Sequence, residues 1–344
     1  MAVYSFRLSG PPSTQESEIL AQAQSGSGPL FFHVADDRWL QPLAVYATTL
    51  VSVVGGGELS ARLSTVFVAA LNVALLFLCA YRIFDAKLAA YLAPLLLLAS
   101  PAHIAFGRAG TDALMSVPFV LLWLLAMLRF WSFDSTSSIL LAGAALGAGV
   151  YGNRAAPLTM GFLLILSVVA LISGGRKARS VLAILAAFGA ALIPAVAWFA
   201  LNPGTYPDTF GRWVIHLAHV RQPLEGLGAF LNWNTLGSRV SLYWGFLEPT
   251  WLFFENVFLL VMLPLLLLGL GYWRRVLPRH AMILVGGGVI ATPLAGCSFG
   301  EPRYVADAAP FLPLAILLMS AGVAGLQLRF RTRTYQSSDT APAG

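Results

Sequence analysis

The stretch LAAYLAPLLLLASPAHIAFGRAGTDALMSVPFVLLWLLAML, residues 88–128, decides the fold. Two strongly apolar runs flank a short polar gap, AFGRAGTDALMS at 105–116. A membrane helix needs roughly 20 mostly apolar residues, because the hydrocarbon core is about 30 Å thick and a helix rises about 1.5 Å per residue. Inside the gap sit Arg108 and Asp112. Ionisable groups at membrane depth are expensive, so a pair between two spans reads as a functional candidate. On a helix, a four-residue spacing would put both on one face as an ordinary ion pair.

The rest of the chain supports this reading. It is 58% hydrophobic and 10% charged over 344 residues. Soluble proteins carry roughly 25% charged residues. The net charge of +6 therefore marks loop sidedness and not a nucleic-acid partner. Cys79 and Cys297 both lie in apolar runs, with no disulfide framework and no metal-type spacing. The sequence holds no Walker A loop, no GxSxG and no HExxH.

From Arg62 onward, apolar runs bounded by charges, Gly or Pro predict an all-α, polytopic transmembrane bundle of about nine spans. They fall near 62–82, 87–105, 112–131, 136–152, 156–174, 180–201, 252–273, 281–297 and 305–328. Alternate loops then face opposite sides. One set, with YRIFDAK, RFWSFD, GGRKARS, WRRVLPRH and the tail RFRTR, holds most of the Lys and Arg. By the positive-inside rule that set is cytoplasmic. The other set, with RAGTD, YGNRAAP, residues 202–251 and FGEPRY, is external and carries most of the acids. The chain thus divides into an external loop with juxtamembrane helices (1–61), a six-span module (62–201), an external loop (202–251), a three-span module (252–328) and a cytoplasmic tail (329–344). The end of the tail, TYQSSDTAPAG, reads as disordered. Leu40–Val54 is short for a span and contains Thr48, Thr49 and Ser52, so an interfacial helix is expected there.

Four polar groups converge on the external side. TQESEILAQAQ opens a helix with Glu16 and Glu18 in its first turns and Thr14 as cap. This is either a solvated helix start or a source of catalytic carboxylates. Arg108 with Asp112 is the second group. Asn153–Arg154 and Arg303–Tyr304 are the third, at two helix junctions. Arginine suits phosphate oxygens, being planar, always charged and rich in donors, though each arginine also reads as a lipid-headgroup anchor. The fourth, FGRWVIHLAHVRQPL, carries His216 and His219 with Arg212 and Arg221; with no third ligand nearby, it reads as an interfacial amphipathic helix and not a zinc site.

QESEILAQAQ, RWLQPLAVY, GGGELSARLSTVFVAALNVALLFLCAYRIF and ASPAHIAFGRAGTDAL, in that order, resemble the GT-C glycosyltransferases. More closely, it is similar to the dolichyl-phosphate-mannose–protein mannosyltransferase and lipid A aminoarabinose transferase type. The resemblance covers about residues 14–160 best, with YGNRAAP and EPRYVADAAPFLP following it loosely. It implies a sugar taken from a polyprenyl-phosphate donor and passed to a lipid, glycan or protein acceptor at the outer face of the plasma membrane, with no nucleic acid involved. It implies Glu16, Asp112 and Glu18 as catalytic carboxylates, Glu16 being the base and Asp112 an orienter or metal ligand. It implies Arg108, Arg154, Arg303 and Tyr304 as ligands of the donor phosphate. Two carboxylates also leave room for a divalent metal; no other cofactor is implied. Two departures stand out. The family's early Asp-Glu pair is Gln15-Glu16 here, and its helix ahead of the first external loop has no counterpart in residues 1–39. A transporter and a catalytically inactive, truncated relative are the alternatives; Pro94, Pro118, Pro194 and Pro293 inside spans would suit the first.

Overall fold

A computed structural model of the protein describes residues 12–25, 30–34, 38–54, 57–84, 86–202, 233–297 and 305–338. Arg303, Tyr304, His216 and His219 lie outside the described residues. The architecture is the expected helical bundle, with a single short hairpin added. Helix α1 (Thr14–Ser25) leads into antiparallel strands β1 (Phe32–Val34) and β2 (Arg38–Leu40), with Phe32 opposite Leu40, and then into α2 (Pro42–Val53). The bundle follows as α3 (Ser60–Ile83), α4 (Lys87–Ala99), α5 (Pro101–Arg108), α6 (Val117–Phe133), α7 (Thr136–Gly149), α8 (Ala156–Ser173) and α9 (Ala178–Leu201). After residue 232 come α10 (Trp233–Leu247), α11 (Pro249–Phe254), α12 (Leu263–Val276), a composite α13 and α14 (Phe311–Ser338). Helix α13 joins Arg279–Ala281 and Gly287–Gly296 through a π-helical turn, Met282–Gly286.

Among the described residues, four helices are long and apolar enough to cross a membrane by themselves: α3, α8, α9 and the Phe311–Phe330 part of α14. The expected span at 87–105 is not straight. It is the bent pair α4 and α5, turned by 59° at Ser100–Pro101. Proline removes the donor that would continue α4 and drives the preceding residue out of the helical region. The Ser100 hydroxyl caps α5 at the His103 amide and donates to the Val257 carbonyl at 2.9 Å. The expected span at 112–131 also starts late, at Val117, because residues 109–116 form turns. At the C-terminus, the expected disordered tail is helical as far as Ser338: no Gly or Pro interrupts 326–338. Helix α2 has 12 residues, about 18 Å of helix, too short to span.

Small residues set the closest helix contacts. A methyl group on Gly147 of α7 would collide with Ala191 and the Phe188 carbonyl of α9, and one on Gly143 with the Ile184 carbonyl. This small-xxx-small spacing lets two backbones approach where lipid gives no hydrophobic drive to associate. Helix α14 packs on α12 and α4, and α6 on α3 and α7. Trp123 of α6 donates to Ser167 of α8 at 2.8 Å, closing the centre. Apolar side chains on α9, such as Leu182 (66%) and Val196 (66%), face outward, as lipid-facing residues do. The chain is a multi-pass membrane protein. Among the described residues, Arg154 pairs with Asp307 of the acid-rich set, and Arg176 pairs with Asp134 of the basic set.

Candidate active site

The acidic-loop end of the bundle gathers most of the candidate residues, and local sequence explains how each is held. Helix α1 begins with the capping box Ser13-Thr14-Gln15-Glu16. The Ser13 hydroxyl accepts from the Glu16 amide at 3.1 Å, and the Ser13 amide donates to Glu16 Oε2 at 3.3 Å. Ser13, not Thr14, is therefore the cap. The box aims Glu16 inward, where it is 3% exposed. There Arg62 Nε donates to Oε1 at 2.6 Å and Nη2 to Oε2 at 3.0 Å.

Both Glu16 oxygens accept from the buried Arg62, which ties α1 to the start of α3. Glu18 lies half-buried two residues on.

Asp112 is placed differently. Helix α5 ends at Arg108, so the four-residue spacing carries Asp112 beyond the helix into the turn and not onto a shared face. Gly110, at φ +66°, makes that turn. It is a conformation glycine adopts without strain, and it also lets the loop lie directly on Glu16. Asp112 is partly exposed, and Gln15 Nε2 donates to its Oδ1 at 2.8 Å. Crowding out of water lifts the Asp112 carboxyl from 3.8 to about 6. The Gln15 bond and Arg154 pull it down, while the like charge of Asp307 pushes it up. The residue that departs from the family pattern, Gln15, is thus the direct partner of this carboxylate.

The α7–α8 junction, YGNR at 151–154, ties the remaining parts together. The Tyr151 hydroxyl donates to the Ala191 carbonyl at 2.9 Å and accepts from the Ala195 amide at 3.2 Å, and its carbonyl accepts from the Leu43 amide. Asn153 Nδ2 faces the Ala113 and Ala306 carbonyls and the Ser116 hydroxyl at 3.3–3.5 Å. Arg154 reaches Asp307 with Nε on Oδ1 at 2.7 Å and Nη2 on Oδ2 at 2.5 Å. Arg108 is half-buried at the end of α5. The structure therefore brings Glu16, Asp112 and Arg154 to one end of the bundle. Sequence reasoning missed Arg62, which read only as a span boundary, and Asp307, which read only as one external acid among several. A lone arginine opening an apolar run was the available signal for the first. Among the described residues, no three of His, Cys, Asp and Glu cluster as a metal site.

The bundle has the fold of solved ArnT structures. ArnT from Cupriavidus metallidurans, bound to undecaprenyl phosphate, superposes at a TM-score of 0.61 with 20% identity, over 97% of this chain and 62% of that one. Its apo state gives 0.60, 20%, 94% and 56%. The chain spans about three fifths of the length of the ArnT chains it matches. Residues 41–199 match the family model for dolichyl-phosphate-mannose-protein mannosyltransferase. No match was found among curated proteins. The resemblance read in the sequence, to GT-C enzymes of this type, is borne out.

Proposed function

We propose that the protein is a glycosyltransferase that moves a sugar from a polyprenyl-phosphate donor to a hydroxyl-bearing acceptor at the outer face of the membrane. Asp112 carries the reading. It is a partly exposed carboxylate, oriented by Gln15, with its proton affinity raised toward neutrality, at the acidic-loop end of an ArnT-type bundle. A general base works best when its pKa approaches the working pH.

In the transfer, the acceptor oxygen forms a bond to the anomeric carbon while the carbon–oxygen bond to phosphate breaks. The phosphate leaves with the electron pair, and Asp112 takes the acceptor proton. The leaving group is already a good one, so the protein's main task is to offset its developing charge. Arg154 and Arg108 do this, and Arg303 and Tyr304, which lie outside the described residues, are further candidates for the phosphate from the sequence. Glu16 and Arg62 hold α1 against the bundle, so that Gln15 stays on Asp112. Glu18 remains a candidate second carboxylate on α1. The positive-inside pattern supports an outer placement for this end and a cytoplasmic C-terminus, and the short length of α2 supports its lying along the outer surface.

The test is a mass spectrum of envelope glycolipids, polysaccharides and glycoproteins from three strains: wild type, a deletion, and the deletion carrying Asp112→Asn. A glycan short by one sugar in both mutants names the sugar and the acceptor together. Identical spectra in all three would sink the transferase reading.

A further inference from the structure

Three loops of the basic set meet around one ring, Trp131, at the end of α6. The Arg176 guanidinium covers its face at 4.5 Å, and the His280 imidazole stands against it at 5.2 Å. Gly174 approaches so closely that a methyl group there would lie 3.0 Å from the ring. The end of α6, the start of α9 and the start of α13 therefore share one surface. Arg176 is committed to this frame: it also bonds Asp134 at 2.9 Å and the Trp131 carbonyl at 3.4 Å. Asp134 is the one acid in RFWSFD, GGRKARS and WRRVLPRH.

Three cations beside the frame are exposed: Lys177, Arg179 and Arg279. No carboxylate among the described residues pairs with them. They do not serve the helices that carry them. Arg179 and Arg279 stand in the first turns of α9 and α13, which hold no acid, and a cation there opposes the helix dipole. Sidedness needs positive loops, but any scatter of the same charges would supply it. Next to these cations the surface turns apolar. Leu182, three residues after Arg179 and on the same face of α9, is 66% exposed.

We propose that this surface binds an anionic phospholipid, with Lys177, Arg179 and Arg279 on the headgroup phosphate and an acyl chain along the Leu182 face of α9. Charge complementarity selects the phosphate, since cations gather here with no unpaired acid. The apolar face selects a lipid, since a soluble anion would leave Leu182 bare. The stacked frame of Trp131 and Arg176 fixes where the loops stand, so the cations meet at a defined place. None of this depends on the transferase reading or on Asp112.

The experiment is a titration of the full-length protein in detergent, read by native mass spectrometry. The probes are dioleoyl phosphatidylglycerol, dioleoyl phosphatidylcholine and glycerol phosphate. Wild type should hold phosphatidylglycerol at least about tenfold more tightly than phosphatidylcholine, and glycerol phosphate far more weakly than either. Arg179→Gln/Arg279→Gln should weaken phosphatidylglycerol about 25-fold, from about fivefold for each cation at a membrane surface. Arg129→Gln/Lys87→Gln removes the same charge from other positions of the basic set, Arg129 projecting from the side of α6 away from Trp131, and should change the affinity less than about twofold. Equal affinity of wild type for the two lipids would overturn the proposal without any variant. Equal losses from the two double variants would overturn the site in favour of diffuse charge attraction. Glycerol phosphate binding as tight as phosphatidylglycerol would overturn the assignment to a lipid.

Discussion

Among the described residues, the acidic-loop end holds two arginine–carboxylate pairs and the opposite end holds one, and the ends differ in where the charge sits. At the acidic-loop end, Glu16 and Arg62 are nearly sealed, with side chains 4% and 10% exposed. At the opposite end, Arg176 and Asp134 pair at 2.9 Å with side chains 28% and 69% exposed. There the guanidinium lies over Trp131 at 4.5 Å and Phe130 at 5.1 Å. A similar arrangement recurs nearby, where Arg82 stacks on Phe133. An exposed pair is cheap to form and worth little. A buried pair must be complete, because either charge alone is stranded. One end is therefore organised by polar geometry, and the other is anchored by rings and cations in contact with water.

The sharpest way to break this comparison is Arg62→Met. It strands the Glu16 carboxylate and should cost about 3–5 kcal/mol of folding stability, measured by unfolding in mixed micelles. Adding Glu16→Leu should restore most of the loss, since an apolar pair of similar volume replaces the buried ions. A loss under about 1 kcal/mol for Arg62→Met would place this pair in the same class as the exposed one.

Asp112 tests the same end in the pH dimension. Its folded pKa is raised, from 3.8 to about 6, so the native state favours the protonated form. Its contribution to stability is therefore fully present below about 3.8 and is lost as pH rises through about 6. Asp112→Asn keeps the acceptor for Gln15 and removes the charge. It should stabilise the protein at pH 7 by about 2 kcal/mol, discounting the two-unit shift for partial exposure, and flatten the slope between pH 4 and 6. An unchanged pH dependence in the variant would show that Asp112 is fully solvated. A gain in stability alongside the loss of transfer is what an active-site charge held under strain produces.

The two ends also differ in how legible they were in the sequence. The apolar runs marked where most of the helices lie. The bend at Ser100–Pro101 follows from proline chemistry and was missed because the apolar run continues through it. Asp112 and Arg154 stood out because charge is rare here. Their partners did not. Gln15 read as a gap in a family pattern, although its amide is what holds Asp112. Arg62 read as a span boundary and Asp307 as one external acid among several, because burial is a tertiary fact that a one-dimensional pattern does not carry. Glu16 was legible as important, but its partner was not: the arginine arrives from 46 residues away.

Gly110→Ala probes how tightly the polar end is fitted. The new Cβ would lie 2.9 Å from Glu16 Cγ and would sit at φ +66°. The cost should be about 1–2 kcal/mol, part from backbone strain and part from the clash. In a Glu16→Ala background the clash disappears, so the extra cost of Gly110→Ala should shrink to the strain alone. An undiminished cost would mean that the loop does not rest on Glu16.

Asp134→Asn is the matching probe at the opposite end. Asp134 closes α6 in a left-handed conformation, φ 50°, with its amide on the Phe130 carbonyl at 2.8 Å. Asparagine tolerates that conformation, so the variant removes the charge and little else. Arg176 keeps its place over Trp131 and Phe130 and its bond to the Trp131 carbonyl at 3.4 Å. An aspartate at a helix C-terminus also opposes the helix dipole, which offsets part of what the ion pair contributes. The net change should fall within about 0.5 kcal/mol in the same mixed-micelle assay. A loss above about 1 kcal/mol would mean that this pair, despite its exposure, is as structural as Glu16–Arg62, and that the two ends follow one rule after all.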